Sequence, residues 1–206
     1  VPADSVGAGV LRFANSAPPG LGATTYAASS FPQDFAGAGD TWFNSDFMFP
    51  EGWAAGTQNF LTLLHEVGHA LGLNHNFRAS QYRPLSQVNE RGAAGLSGPS
   101  NSVMDYEATN IAPAGQPQGY YWTTLPGPYD EWVIEYGYSE ALADPAAEAA
   151  RLDSILARST DPALAFGNDG DVDEFQQLVG VGAQAAAVER SQDAVLAAEP
   201  GIMNCS

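Results

Sequence analysis

Apolar positions between residues 57 and 71 repeat at the period of a helix buried along one side. Phe60, Leu63, Leu64, Val67 and Leu71 form one stripe, and His65, His69 and Gly72 form the stripe beside it. Thr57 is the expected N-cap. Shorter alternating runs at 10–14, Thr24 to Ala27, and Thr41 to Asn44 predict strands, with Arg12 facing away from Leu11 and Phe13. Residues 15–22, with Pro18 and Pro19, read as a loop. From Phe77 to Asn101 the chain is polar and loop-like, and Asn110 to Pro128 is rich in Pro, Gly and Tyr. Tyr129 to Tyr138 predicts a helix with Trp132, Val133 and Tyr136 turned inward and Asp130 suited to the dipole at its start. A further helix opens at Asp144-Pro145, cap and first position, and buries Leu152, Ile155 and Leu156. Gln184 to Ala198 is alanine-rich and helical, with few large apolar residues, and suits loose packing or a docking helix.

All three histidines fall within His65-Glu66-Val67-Gly68-His69-Ala70-Leu71-Gly72-Leu73-Asn74-His75. The pattern H-E-x-x-H-x-x-G-x-x-H is a zinc-protease signature. His65 and His69 are one helical turn apart on one face and can share a metal ion. Gly72 can adopt a left-handed conformation, end the helix and turn the chain so that His75 returns to the metal. Three protein ligands with one open position is the catalytic zinc arrangement, whereas a structural site fills its fourth position with protein. Glu66 is placed to act as general base on the hydrolytic water. Five specified positions would match by chance in on the order of one in 10^5 chains of this length. A lone core histidine is commonplace, but three in this register with Glu and Gly in place favour the metal.

Ser102-Val103-Met104-Asp105-Tyr106 fits the methionine turn that such a site requires. Met104 would form an apolar floor under the imidazoles by packing. Tyr106 has a phenol that can reach the zinc as an extra ligand or donate to the oxyanion of a tetrahedral intermediate; the plainer reading is a half-buried aromatic.

These motifs resemble the metzincin clan of zinc metallopeptidases. Upstream, Gly9-Val10-Leu11-Arg12-Phe13-Ala14-Asn15-Ser16 and Gly39-Asp40-Thr41-Trp42-Phe43-Asn44 resemble serralysin strands. Downstream, His75-Asn76-Phe77-Arg78-Ala79-Ser80, Asn110-Ile111-Ala112-Pro113 and Gly127-Pro128-Tyr129-Asp130-Glu131-Trp132 resemble bacterial zinc-dependent metalloproteases that include the catalytic subunit of an AB-type toxin. Ile134-Glu135-Tyr136-Gly137-Tyr138 and Phe166-Gly167-Asn168-Asp169 extend that likeness. The resemblance implies an α+β fold: a small mixed sheet with the active-site helix, above a loop-rich, helical C-terminal subdomain. It implies a single catalytic domain over 1–206, with an upper part at about 1–75, a lower part at about 76–180 and a helical tail at about 181–206. It also implies a secreted zinc endopeptidase with a protein or peptide substrate. His65, His69 and His75 would hold Zn2+, with Glu66 and Tyr106 catalytic, and Thr41-Trp42-Phe43 would be the edge strand that pairs with an extended peptide. Only nine residues precede the first strand, where metzincin catalytic domains usually carry a strand and a long helix. The chain is either a fragment or processed form, or it dispenses with that layer. Two rival readings are the catalytic subunit of a toxin-like complex, with the tail from about 184 bound to a carrier oligomer, and a non-catalytic zinc-binding module.

Composition narrows the partners. Apolar residues make up 45% of 206, with 22 Gly and 14 Pro, enough for a sizeable core with many turns. Seven basic against 24 acidic residues give a net charge of −17, which repels nucleic acid and anionic membranes and keeps a secreted enzyme soluble. No apolar run is long enough to span a membrane. No signal peptide is visible, and the start at Val1-Pro2 suggests a mature or trimmed form. Cys205 is the single cysteine, so an intrachain disulfide is not possible. Its thiolate can plug the zinc or pair with another chain, but a tail thiol without a role is the plainer reading. Asn168-Asp169-Gly170-Asp171-Val172-Asp173-Glu174 groups oxygen ligands that can hold Ca2+, although the spacing is not that of an EF-hand. A solvated acidic turn is the plainer reading there.

Overall fold

Three short strands and one long helix carry the first part of the chain. In this computed structural model the described residues are 11–16, 26–31, 38–46, 52–90, 98–168 and 170–171. Strands β1 (Arg12–Ser16), β2 (Ala27–Ser29) and β3 (Asp40–Asn44) form a mixed sheet in the order β1-β3-β2. β1 runs parallel to β3, pairing Arg12 with Asp40 through Ser16 with Asn44. β2 runs antiparallel to β3, pairing Ala27 with Phe43 and Ser29 with Thr41. β3 is therefore the central strand. The expectation that Thr41-Trp42-Phe43 forms the sheet edge is corrected: among the described residues the edges are β1 and β2. The reason is visible in the side chains. Asp40, Thr41, Phe43 and Asn44 are all buried, as befits a strand paired on both sides. In β1, Arg12 forms an ion pair with Asp40 across the ladder, while Phe13, and Leu11 just before the strand, are exposed. The second strand starts at Ala27; Thr24 and Thr25 lie outside the described residues.

Helix α1 spans Gln58–Ala70, and the Thr57 side chain accepts from the Phe60 N–H at 3.3 Å. This satisfies one of the orphan donors of the first turn. The expected apolar stripe is only half-buried. The buried side chains are instead Asn59, Leu61, His65, Glu66, His69 and Ala70. The reason is that the ligand-bearing face packs toward β2, where the Ser29 hydroxyl donates to the Glu66 carbonyl oxygen at 3.0 Å. The helix ends in a Schellman turn. Gly72 N–H donates to the His69 carbonyl at 2.9 Å, Leu73 N–H donates to the Gly68 carbonyl at 3.0 Å, and Gly72 has φ +92°.

The rest of the described chain is loop-rich with three helices: α2 (Leu85–Val88), α3 (Pro128–Tyr138) and α4 (Pro145–Leu156). Asp144 caps α4 by accepting from Ala146 N–H at 3.2 Å. α3 packs on α4, and the Trp132 indole N–H donates to the Ile155 carbonyl at 2.7 Å. Two expected core residues are exposed, Tyr136 on α3 and Leu156 on α4. Their places are taken by Tyr129, which stacks on Phe166 with centroids 5.6 Å apart, and by Ile155 alone. By compactness the chain divides into two units that meet in sequence between Asn74 and His75. The fold is α+β and metzincin-like, a small mixed sheet plus helices. Among the described residues no helix is long and apolar enough to cross a membrane. The expected helix at Gln184 to Ala198, Cys205, and the acidic loop from Val172 onward lie outside the described residues.

Candidate metal centre and methionine turn

α1 delivers two histidines by helical spacing, and the Schellman turn delivers the third four residues beyond Leu71. Each of His65, His69 and His75 offers one ring nitrogen, and these three atoms lie within 4.8 Å of one another. The His65 and His69 rings are 4.7 Å apart and nearly perpendicular. His69 Nδ1 is 2.8 Å from the Leu73 carbonyl oxygen, which can only accept. That contact places the proton on Nδ1 and the lone pair on Nε2, the orientation that a metal-ligating histidine takes from a partner outside the metal's own ligands. Phe31 packs edge-on against His69 at 5.4 Å and limits its rotation. Imidazole nitrogens in this set suit zinc, cobalt or nickel far better than calcium. Among the described residues this is the one cluster of three or more His, Cys, Asp or Glu side chains able to hold a metal ion. Glu66 sits beside the first ligand on α1 and is almost completely enclosed.

Tyr106 is brought to the third ligand. Its hydroxyl is 2.9 Å from His75 Nε2, and the two rings are 4.6 Å apart. Phe77 completes a cluster of three rings, 5.8 Å from both His75 and Tyr106. Met104 is fully buried, and its carbonyl accepts from the Asn76 N–H at 2.9 Å, one residue after His75.

The residues that hold the methionine turn were not singled out by spacing or periodicity. Asp130, assigned above to the helix dipole, turns its carboxylate inward at the first turn of α3. It accepts from the Ser102 hydroxyl at 2.5 Å, Val103 N–H at 2.9 Å and Gly127 N–H at 2.8 Å. Burial raises its pKa, and the three donors oppose that rise. Ser102 Oγ in turn accepts from Met104 N–H at 3.0 Å. The backbones approach so closely that a Cβ on Gly127 would lie 1.8 Å from the Asn101 carbonyl oxygen. The one sequence signal for Asp130 was an acid three residues after Gly127 at a helix start, the spacing at which a side chain reaches back to the cap N–H.

Two more buried carboxyls flank Tyr106. Burial pushes Asp105 up to about 6, against hydrogen bonds from Ser80 and Ser100. Burial pushes Glu107 up to about 8, against donation by the Thr123 N–H and hydroxyl. Arg83, whose own pKa burial lowers, donates to Asn101 Oδ1 at 3.2 Å and to the Gly98 carbonyl. In the acidic loop, the described Asn168 Oδ1 and Asp171 Oδ2 accept from local backbone N–H groups, as in a capped turn.

The sequence profile of the Met-zincin family matches residues 59–206, which include the histidine motif, Met104 and Tyr106. The chain belongs to the Met-zincin family. Membership of this family points to a zinc-dependent metallopeptidase, and the three-histidine cluster is consistent with a zinc site. β1, β2 and β3 precede the matched region. No curated protein matches the chain.

Proposed function

We propose that this Met-zincin is a secreted zinc endopeptidase in which Glu66 is the general base. The observation that carries the reading is the convergence of three imidazole nitrogens within 4.8 Å, with the His69 tautomer set by Leu73. His65, His69 and His75 would hold the metal. When bound there, zinc polarises a scissile carbonyl and lowers the pKa of water toward about 7. Glu66, next to His65 on α1, takes a proton from the attacking water and returns it to the leaving amine. The Tyr106 hydroxyl, held beside His75, donates to the oxyanion as it develops. Substrate peptide pairs in extended form with β2, an edge strand of the sheet among the described residues, through backbone hydrogen bonds that bind without reading side chains. The Ser29 hydroxyl ties that edge to α1 at Glu66 itself. Action outside the cell rests on the family resemblance and is checked by finding the protein in the culture supernatant of its producer.

The test is a peptide library incubated with the purified chain and read by mass spectrometry. Cleavage that a chelator stops and zinc restores is expected. Cleavage indifferent to the chelator, or zinc bound at one ion per chain with no cleavage, would overturn the reading.

A further inference from the structure

Asn76 follows the third histidine directly, and its side chain is completely buried. A carboxamide taken out of water is costly unless both ends find partners. Here both do. Nδ2 donates to the Ala165 carbonyl at 3.0 Å, and Oδ1 accepts from Gly167 N–H at 3.1 Å and Arg78 N–H at 3.3 Å. Its backbone N–H donates to the Met104 carbonyl at 2.9 Å, and the next residue, Phe77, donates its N–H to the Gly167 carbonyl at 2.9 Å. The turn just beyond His75 is thus fastened from two directions, the methionine turn and a strap at residues 165–167.

The strap is itself anchored. Phe166 lies flat on Tyr129, with the ring planes 10° apart. Tyr129 adjoins Asp130, whose carboxylate holds Ser102 and Val103. The path from Asn76 through Phe166, Tyr129, Asp130 and Ser102 to Met104 returns to Asn76 and closes. Within such a circuit no member shifts alone. The His75 Cα is only about 3.8 Å from that of Asn76, so a shift of the Asn76 backbone moves the backbone from which the imidazole projects.

We propose that Asn76 is a positioning residue for the third metal ligand. It sets the His75 ring by locking the following turn between Met104 and the 165–167 strap. Residues some ninety positions away thereby tune the metal site. The inference rests on the zinc reading above. A side chain that served stability alone would affect folding but not metal affinity, and this separates the two roles.

The experiment uses the full chain with Asn76→Leu, Phe166→Ala and, as a control for general loss of packing, Ile155→Ala. Zinc affinity is measured by chelator competition, and ligand geometry by the visible absorption of the cobalt-loaded protein. Asn76→Leu is expected to weaken zinc binding about 10- to 100-fold, the usual effect of losing a residue that orients a ligand, and to change the cobalt spectrum. Phe166→Ala should move both readouts in the same direction by less. Ile155→Ala should lower the melting temperature and leave affinity and spectrum as they were. If Asn76→Leu does not fold, Phe166→Ala decides, because its ring is part-exposed and removable. Wild-type affinity and spectrum in Phe166→Ala, or in a folded Asn76→Leu, would overturn the proposal while the zinc reading stands. Failure of the unmodified chain to bind zinc would overturn both.

Discussion

Two stretches of this chain present functional side chains by opposite means. α1 holds His65, Glu66 and His69 through its own 3.6-residue repeat, a side-chain cap at Thr57 and a glycine turn at its end. Residues 98–107 have no helix or strand, yet Ser100, Asn101, Ser102, Met104, Asp105 and Glu107 are all buried there. Their backbone is held by groups from elsewhere in the sequence: the side chains of Asp130, Thr123 and Arg83 and the backbone N–H of Asn76. A helix spreads its stability over many equivalent bonds, so losing one matters little. An irregular segment concentrates it in a few buried polar groups, and losing one leaves several donors orphaned.

The largest effect should come from the ligands. His65→Ala is expected to abolish stoichiometric zinc binding, measured by metal analysis after dialysis, while the variant melts close to chelator-stripped wild type; retention of one zinc per chain would break the comparison at its root. Next, Asp130→Ala leaves three donors without their acceptor and should cost roughly 3 kcal/mol. For a chain of this length that lowers the melting temperature by roughly 6–12 °C. A loss under 1 kcal/mol by denaturant titration would show that the turn is not held by this carboxylate.

The third effect is a pH dependence. The Glu107 carboxyl is pushed from 4.5 up to about 8, chiefly by burial. The folded chain therefore keeps a proton that the unfolded chain releases above 4.5. Its contribution is fully present below that pH and is lost as pH rises toward 8. Asp105, pushed up to about 6, acts in the same direction over a narrower window. Melting curves from pH 5 to 8 should fall more steeply for wild type than for Glu107→Gln; parallel curves would contradict the assignment. The smallest effect belongs to the helical side. Thr57→Ala removes one cap bond of α1 and should cost about 1 kcal/mol, with zinc affinity unchanged.

The same contrast explains what could be read before the fold was known. α1, its cap, its glycine stop, the three ligands and Glu66 all lie within nineteen consecutive residues, and local rules sufficed. The helix caps at Thr57 and Asp144 were legible for the same reason. Asp130 looked like a helix-dipole residue because its partners, Ser102 and Val103, are nearly thirty positions away. Asn76 was one letter in a motif until Ala165 and Gly167 gave it partners. Alternation predicts a strand at Thr41 to Asn44 but not how many neighbours it has, and the edge position implied there by the family resemblance gives way to the β1-β3-β2 order, in which β3 is central. Tyr136 and Leu156 were assigned inward by periodicity, but the flat stack of Tyr129 on Phe166 and the burial of Ile155 fill the space instead.

The most direct test combines two numbers from one sample: zinc per chain and peptide turnover for Glu66→Gln beside wild type. The substitution keeps the side chain's size and removes only its capacity to take a proton. The account predicts one zinc per chain in both proteins and a loss in kcat on the order of 10^2- to 10^4-fold in the variant. Wild-type turnover by zinc-loaded Glu66→Gln would contradict it.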